Sequence, residues 1–321
     1  LAEMQDDSLR QLAGEVWRAA AGQLTPLYAE AVESYHYRIE RLERGVQRIV
    51  EVLAEHSRRG QFRPVAVEVA FGMSPGIPPW QLELEPAGTV QVRGRIDRIE
   101  TARAGDTLYV RIIDFKRSAR KLKLSDVYYG FSLQLLVYLA ALMDNAEAML
   151  PAAMSREDVK IVPAGVLYFP LSEPIVKVEG PVEEELLAKE VLARYKASGL
   201  LLADTDVLEL MEAGISGRSE LLPVGIKQSG EIYKGSSAYS PEELDVLAAY
   251  VRYLIKALAE AIQSGKIAIE PYRKAGFRVC QYCPYMPLCR FEVGAPGCRY
   301  RYITTISDSE ALERMRQAAV Q

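Results

Sequence analysis

The feature that most constrains the fold of this chain is a predicted β-hairpin in its first half. Residues 89–100 (TVQVRGRIDRIE) and 107–118 (TLYVRIIDFKRS) have the composition of strands, and Ala-Gly-Asp at 104–106 suits a tight turn between them. The apolar residues before Asp114 are typical of a strand in the centre of a sheet. The hairpin therefore predicts a sheet with a buried centre.

Three charged residues of this hairpin form a candidate site. Asp114 and Lys116 are two residues apart, so a strand presents both on one face, and the turn brings Asp97 near Asp114. Two carboxylates in a partly buried site repel each other, and a divalent cation removes that penalty. Mg²⁺ prefers hard oxygen ligands, and a lysine beside it can orient or deprotonate a water and stabilise charge on a phosphate. The alternative is a surface salt bridge, because Asp-x-Lys alone recurs by chance.

A predicted helix at residues 126–145 follows the hairpin and carries two polar residues on one face. Gln134 and Tyr138 are four residues apart within the apolar run LQLLVYL. A glutamine among apolar residues needs a polar partner, and a carboxylate, a metal-bound water or a DNA phosphate would serve. The alternative is a core glutamine satisfied by backbone groups, beside a core tyrosine.

The rest of the pattern predicts an α/β fold with a mixed central sheet flanked by helices. The other predicted elements are helices at 5–58, a strand at 62–72, a turn-rich connection at 74–80, a strand at 164–171, surface helices at 183–213, a loop or irregular hairpin at 214–240 and a helix at 241–263. We divide the chain into a helical lead-in at 1–61, a main domain at 62–272, and a cysteine-rich segment with a C-terminal tail at 273–321.

Charge is unevenly distributed along the 321 residues, whose net charge is −4. Residues 111–123 contain six basic residues and one acid, and residues 273–301 contain the same excess. These segments favour a local phosphate-binding surface, with an ordinary solvated face as the alternative. The sequence has no apolar run long enough for a bilayer, no signal-peptide pattern and no phosphate-loop motif. We therefore expect a cytoplasmic location, no membrane contact and no ATP hydrolysis by this chain.

All four cysteines fall in one short stretch near the C-terminal end. Cys280, Cys283 and Cys289 form C-x-x-C-x-x-x-x-x-C, and Cys298 follows after a segment rich in Gly and Pro. Clustered thiolates suit Zn²⁺ or an iron–sulfur cluster, although three rarely complete either site. A set of buried free cysteines is the alternative.

The motifs together resemble those of a known nuclease family. GRIDRIE, IIDFKRS and YYGFSLQLLVYL give G-x-x-D, D-x-K and Q-x-x-x-Y, which is similar to the active-site pattern of the RecB-like branch of the PD-(D/E)XK nuclease superfamily. With the trailing cysteines, the stretch from 62 to 302 resembles the C-terminal nuclease domain of AddB-type helicase–nuclease subunits. The resemblance implies a restriction-endonuclease-like core followed by an iron–sulfur segment.

The resemblance also implies roles for the hairpin residues. Asp97 and Asp114 would be metal ligands, and the carbonyl of Phe115 would complete the protein's share of the coordination sphere. Lys116 would be the catalytic lysine. The metal implied is Mg²⁺.

Further residues receive weaker or supporting roles from the same resemblance. Gln134 and Tyr138 would support the site and the DNA strand, and Glu68 would be an outer carboxylate, although it suits a solvent-facing strand position equally well. Related sites often add a histidine on an early helix. His36 and His56 lack the expected context, and we expect both on a helix surface.

For the cysteines, the resemblance implies a [4Fe–4S] cluster. Cys280, Cys283 and Cys289 would be three of its ligands. The fourth would be a cysteine upstream of Leu1, with Cys298 as the less favoured candidate. A zinc knuckle is the minority alternative.

The function implied is a Mg²⁺-dependent DNA exonuclease. It would form a heterodimer with an AddA-type helicase–nuclease subunit, which would supply the ATP-driven motor, and the assembly would process double-strand breaks for recombinational repair. A Cas4-like iron–sulfur nuclease is a second possibility, which the chain length and the Tyr-Tyr-Gly before the helix disfavour. The third is a non-catalytic DNA-binding scaffold of the same fold.

Overall fold

The computed structural model of the protein describes residues 2–24, 32–73, 76–85, 88–152, 154, 159–172, 180 and 183–319. Its helices are α1 (Asp6–Leu24), α2 (Val32–Arg59), α3 (Leu124–Tyr128), α4 (Gln134–Asp144), α5 (Ala146–Met149), α6 (Glu184–Arg194), α7 (Thr205–Met211), α8 (Pro241–Gln263), α9 (Met286–Cys289) and α10 (Asp308–Ala319). Its strands are β1 (Arg63–Phe71), β2 (Trp80–Glu83), β3 (Thr89–Val92), β4 (Gly94–Ala104), β5 (Thr107–Lys116), β6 (Lys160–Pro170), β7 (Ser198–Leu202), β8 (Gly217–Arg218), β9 (Gly225–Ile226), β10 (Ala238–Tyr239), β11 (Tyr272–Lys274), β12 (Phe277–Arg278) and β13 (Arg301–Ile303).

A six-stranded sheet forms the centre of the molecule, in the order β1-β4-β5-β6-β7-β10. β1, β4 and β5 are antiparallel neighbours, β5 and β6 are parallel, β6 and β7 are antiparallel, and β7 and β10 are parallel. The sheet is therefore mixed, which confirms the predicted α/β class. The apolar residues of β5 that precede Asp114 on the buried face are at most 4% exposed, as expected for a central strand.

Helices cover both faces of this sheet. Lys116 of β5 contacts Gln134 of α4, whereas Phe115, whose side chain points to the opposite face, packs on Phe169 of β6. Phe169 in turn meets the ring of His56 from α2. The helices α2 and α4 therefore lie on opposite faces, and α8 packs on α4.

The predicted hairpin is present, and its register sets the geometry of the site. β4 and β5 are joined by a tight turn in which Ala104 pairs with Thr107 and Gly105 has a φ of 57°. The antiparallel pairing of Arg98 with Ile113 places the preceding residue of β4, Asp97, opposite Asp114. The prediction that the turn brings these two aspartates together is confirmed.

The predicted helix at 126–145 is wrong as a single element. The chain forms α3 and α4, separated by a turn in which Gly130 has a φ of 82°, a conformation that glycine adopts without a steric penalty. Gln134 therefore begins α4 instead of lying within a long apolar helix. The side chain of Gln134 is exposed, and it meets its polar partner at the beginning of α4 and not in an apolar core.

Three other predicted elements differ from the structure. The segment 89–100 is broken at Arg93, and its first part forms a separate hairpin with β2, which begins at the end of the predicted turn region 74–80. The predicted surface helices at 183–213 include β7, a buried strand of the main sheet. The predicted tail contains α10, which packs on α8 and α3. Short apolar runs such as SGLLL fit a strand or a buried helix equally well, which explains the missed β7.

An ion cluster lies between α2 and the sheet. Glu100 is 2% exposed and accepts hydrogen bonds from Arg98 (2.7 Å) and Arg111 (2.6 Å). His56 is also buried, so its predicted place on the helix surface is wrong; the side chain of His36 lies outside the described residues. Burial and the nearby Arg111 lower the pKa of His56 to about 3, which keeps it neutral in this positively charged surrounding.

Residues of α2 and α10 share one apolar core with the sheet, including Leu53 and Met315. The proposed boundaries at 61/62 and 272/273 stay predictions. Among the described residues, no helix is both long enough and apolar enough to span a bilayer.

Candidate active site

Two facing carboxylates form the centre of the candidate site. Asp114 is 1% exposed, and its Oδ1 atom has no hydrogen-bond partner among the described residues. Burial raises the pKa of Asp114, the neighbouring Asp97 adds to the rise, and the nearby Lys116 opposes it. Asp97 is half-buried, and its Oδ2 accepts a hydrogen bond from the amide of Phe115 at 2.8 Å. The amide that follows Asp114 therefore fixes the carboxylate on the opposite strand.

A chain of polar contacts fixes the lysine beside these carboxylates. The Nζ atom of Lys116 lies 2.5 Å from Asp114 Oδ2 and donates a hydrogen bond to Gln134 Oε1 at 2.8 Å. The other end of the amide, Gln134 Nε2, donates to the hydroxyl of Tyr138 at 3.1 Å. The Nζ atom also lies 5.6 Å from the ring centre of Tyr168. The four-residue spacing of Gln134 and Tyr138 thus has a direct consequence, because it lets the tyrosine orient the amide that holds Lys116.

The glycine of the G-x-x-D motif makes room for this arrangement. A Cβ atom on Gly94 would lie 2.8 Å from ring carbons of both Phe71 and Tyr138. These two rings meet edge to face with centroids 6.2 Å apart, and Phe71 is fully buried. The glycine is therefore required by the close approach of Tyr138 to β4. The G-x-x-D motif contains this glycine, but the sequence alone did not show that it makes room for Tyr138.

Glu68 is the one candidate site carboxylate that the structure does not bring into the cluster. It lies in β1 between the pairs that Val67 and Val69 form with β4, with an unusual φ of 51°. Its side chain is 64% exposed and forms an ion pair with Arg95 at 3.3 Å. Its role as an outer carboxylate stays a prediction.

The donor set fits a hard divalent cation. In the described part of the chain, no group of three or more His, Cys, Asp or Glu side chains is arranged to hold a metal ion. The side-chain donors here are two carboxylates, and one buried oxygen of Asp114 has no partner. A cation that keeps several of its waters, as Mg²⁺ does, needs only this number of protein oxygens, with the Phe115 carbonyl as a further candidate. The role of each residue as a metal ligand stays a prediction.

The cysteines do not all face one space. Cys280, Cys283 and Cys289 line a cavity of about 370 Å³, whereas Cys298 does not, and the backbone of Cys298 pairs with Ile269. All four are free thiols in this structure. Three of the four cysteines thus border one cavity, although the described residues do not arrange them as a group that could hold a metal ion.

Contacts with β11 anchor α3 and the turn that precedes Gln134. Lys274 forms an ion pair with Asp126, and Tyr272 packs on Phe131 with ring centroids 4.4 Å apart. No sequence motif marked Phe131 or the Tyr168 ring next to Lys116. Their only signal was the basic segment 111–123 nearby, which pointed to a surface and to no particular aromatic residue.

Comparison with known proteins agrees with this geometry. The family model of the PD-(D/E)XK nuclease superfamily matches residues 2–290. The B-type subunit of the ATP-dependent helicase/deoxyribonuclease from Moorella thermoacetica is 41% identical over 267 residues, which are 83% of this chain and 23% of that protein. The protein of the same name from Pelotomaculum thermopropionicum is 37% identical over 302 residues, 94% of this chain and 26% of that protein.

The chain spans about a quarter of the length of these relatives. The similarity confirms the resemblance to AddB-type subunits that the motifs indicated. The matched family covers most of the chain, including the hairpin, the α4 pair and the first three cysteines. Given the extent of this match, the chain belongs to the PD-(D/E)XK nuclease superfamily.

Proposed function

We propose that this chain hydrolyses phosphodiester bonds of DNA with the help of Mg²⁺. The observation that carries the proposal is the position of Lys116, held between the buried carboxylate of Asp114 and the amide of Gln134. A salt bridge on a solvated surface would not need a tyrosine-oriented amide to hold its lysine. A lysine fixed in this way can act on a reacting group without first losing side-chain freedom.

The chain's own residues have distinct tasks in this proposal. Asp97 and Asp114 would hold the cation, and the chemistry it would supply there is neutralisation of phosphate charge and a lowered pKa of a bound water. Lys116 would orient that water and stabilise the negative charge that develops on the phosphate oxygens. Gln134 and Tyr138 would keep the ammonium group of Lys116 in position, so we class them as positioning residues.

We further propose that the chain is the nuclease part of an AddB-type helicase–nuclease subunit. Support comes from identities of 37–41% to helicase/deoxyribonuclease subunits of this type, over most of this chain. In this proposal it acts in the cytoplasm as an exonuclease on strands delivered by an AddA-type partner in a heterodimer. The assembly would process double-strand breaks for recombinational repair.

The substrate proposal is tested by comparing linear with covalently closed circular DNA. We expect the intact assembly, supplied with ATP, to degrade linear DNA when Mg²⁺ is present, to stop when the metal is chelated, and to leave the closed circle intact because it has no end. Release of acid-soluble nucleotides measures each reaction. Linear DNA that survives in Mg²⁺ would support the scaffold interpretation, and degradation that persists after chelation would exclude the metal-dependent mechanism.

We also propose that Cys280, Cys283 and Cys289 hold a [4Fe–4S] cluster. The support is that these three thiols line one cavity and that thiolates are the usual ligands of such clusters. The fourth ligand in this proposal is a residue other than Cys298, since Cys298 does not line that cavity.

Anaerobically purified intact protein is expected to carry about four irons per molecule and to show the broad visible absorbance of thiolate-bound iron. Cys283→Ser should lose both signals, whereas the matched variant Cys298→Ser should keep them. Zinc in place of iron would contradict the cluster and favour a zinc knuckle. Loss of iron in Cys298→Ser would contradict the proposed origin of the fourth ligand.

A further inference from the structure

We propose that a cavity beside Lys116 is a binding subsite for one nucleotide of a single DNA strand. This inference rests on the proposed function, since it names how the strand would be held next to the reacting phosphate. The cavity has a volume of about 200 Å³ and is lined by Arg120, Lys121, Phe131, Ser132, Gln134 and Tyr168.

The cavity lies directly beside Lys116. Two of its lining residues, Gln134 and Tyr168, contact Lys116 directly, through a hydrogen bond of 2.8 Å and a cation–ring distance of 5.6 Å. The cavity therefore opens next to the site where hydrolysis is proposed. A nucleotide bound here would be a close neighbour of the scissile phosphate.

The cavity is bordered by two positively charged side chains. Arg120 and Lys121 are exposed and line the cavity, and the charge of Arg120 already acts on the nearby Asp114 and Tyr168. Their segment is nevertheless anchored, because Ser198 Oγ donates a hydrogen bond to the backbone carbonyl of Arg120. A phosphate group is negatively charged, so two cationic side chains on an anchored segment suit its binding.

A helix end adds to this anion-binding character. Leu133 is the N-cap of α4, and no side chain caps the free amide groups of the first turn. Ser132, Leu133 and Gln134 all line the cavity, so this helix end borders the same space as the two cations. The partial positive charge of a helix N-terminus favours a phosphate there.

An aromatic side chain forms one wall of the cavity. Phe131 lines the cavity, and behind it Tyr272 packs at a centroid distance of 4.4 Å. Tyr272 is itself stacked on Phe277 at 5.9 Å, so the ring of Phe131 has firm support. Stacking of a base on an aromatic ring is favourable and tolerates any sequence. The cavity thus combines phosphate-binding and base-stacking groups within the reach of one nucleotide.

Binding of a fluorescent single-stranded oligothymidylate tests the subsite without hydrolysis. The intact protein is titrated without ATP and with Ca²⁺ in place of Mg²⁺, at several salt concentrations. Arg120→Ala and Lys121→Ala should each weaken binding and reduce the slope of log K against log salt by about 0.7, the value for one lost phosphate contact on a single strand. Phe131→Leu should weaken binding about tenfold with an unchanged slope, and Phe131→Tyr should restore it. Arg103→Ala, an exposed arginine at the far end of the hairpin, is the matched control.

The outcomes separate this proposal from the proposed function. In Mg²⁺, we expect Lys121→Ala and Phe131→Leu to raise KM while kcat stays within about twofold of wild type. Unchanged binding and salt slopes in proteins that still hydrolyse DNA would overturn the subsite and leave the nuclease assignment standing. Weakened binding in the variants of a protein that hydrolyses no DNA would support the subsite and overturn the nuclease assignment. A fall in kcat with normal binding would assign Phe131 to positioning Gln134, against the subsite.

Discussion

Asp114→Asn is expected to reduce DNA hydrolysis by about a thousandfold and at the same time to raise the melting temperature of the metal-free protein. The carboxylate is 1% exposed, and one of its oxygens has no hydrogen-bond partner among the described residues. A buried charge without full compensation lowers the stability of the folded protein. The neutral amide of asparagine removes this cost, but it also removes the charge that the proposed chemistry needs. Asp106→Asn, an exposed position at the turn of the same hairpin, should change neither activity nor melting temperature.

The pH dependence of the metal-free protein follows from the raised pKa of Asp114. In the folded state the group keeps its proton to a higher pH than in the unfolded state. Stability should therefore fall as the pH rises from the ordinary aspartate value through the raised one, and Asp114→Asn should lack this part of the loss. Added Mg²⁺ should raise the melting temperature of the wild type but not of the variant. Equal stabilisation of both proteins by Mg²⁺ would place the metal elsewhere.

Glu100→Gln is expected to lower the local free energy of unfolding by roughly 3 to 5 kcal/mol, the typical loss when one partner of a buried ion pair is removed. Glu100 lies between Arg98 and Arg111, and Arg111 is only 1% exposed. The amide keeps the shape of the side chain but leaves the positive charges of both arginines without a buried anion. Hydrogen exchange of the amides in β4 and β5 measures the change within the intact protein.

The control for this substitution is Glu68→Gln, which removes another glutamate that pairs with an arginine of β4. That pair is exposed on both sides, at 57% for Arg95 and 64% for Glu68, so its loss should cost less than about 1 kcal/mol. Equal effects of the two substitutions would show that the Glu100 cluster adds nothing beyond a surface pair.

The hairpin and the polar pair on α4 could be predicted because local rules determine them. The tight turn sets the register of β4 and β5, and that register alone brings Asp97 opposite Asp114. The four-residue spacing puts Gln134 and Tyr138 on one helix face wherever the helix begins. Both signals survive errors in the exact element boundaries.

The remaining features depend on tertiary contacts that the sequence does not reveal. Gly130 ends α3, yet an isolated glycine is also tolerated within a helix, so the pattern predicted one helix where the structure has two. Glu100 and Arg111 form an ion pair buried under α2, and such a pair has no local signature in the sequence. The cavity next to Lys116 joins residues of three separate segments, so only the folded chain brings them together.

Lys116→Ala tests most directly whether this chain cuts DNA. The rate of Mg²⁺-dependent degradation by the intact assembly is followed for each strand of linear DNA separately, because the proposed AddA-type partner is itself a helicase–nuclease subunit. Lys227→Ala is the matched control, since Lys227 pairs with Glu231 on an exposed turn. If the nuclease site is built around Lys116, the first variant should degrade one of the two strands about a thousandfold more slowly, with DNA binding retained, while the control degrades both strands at the wild-type rate. Equal rates on both strands for the wild type and Lys116→Ala would contradict a nuclease site at Lys116.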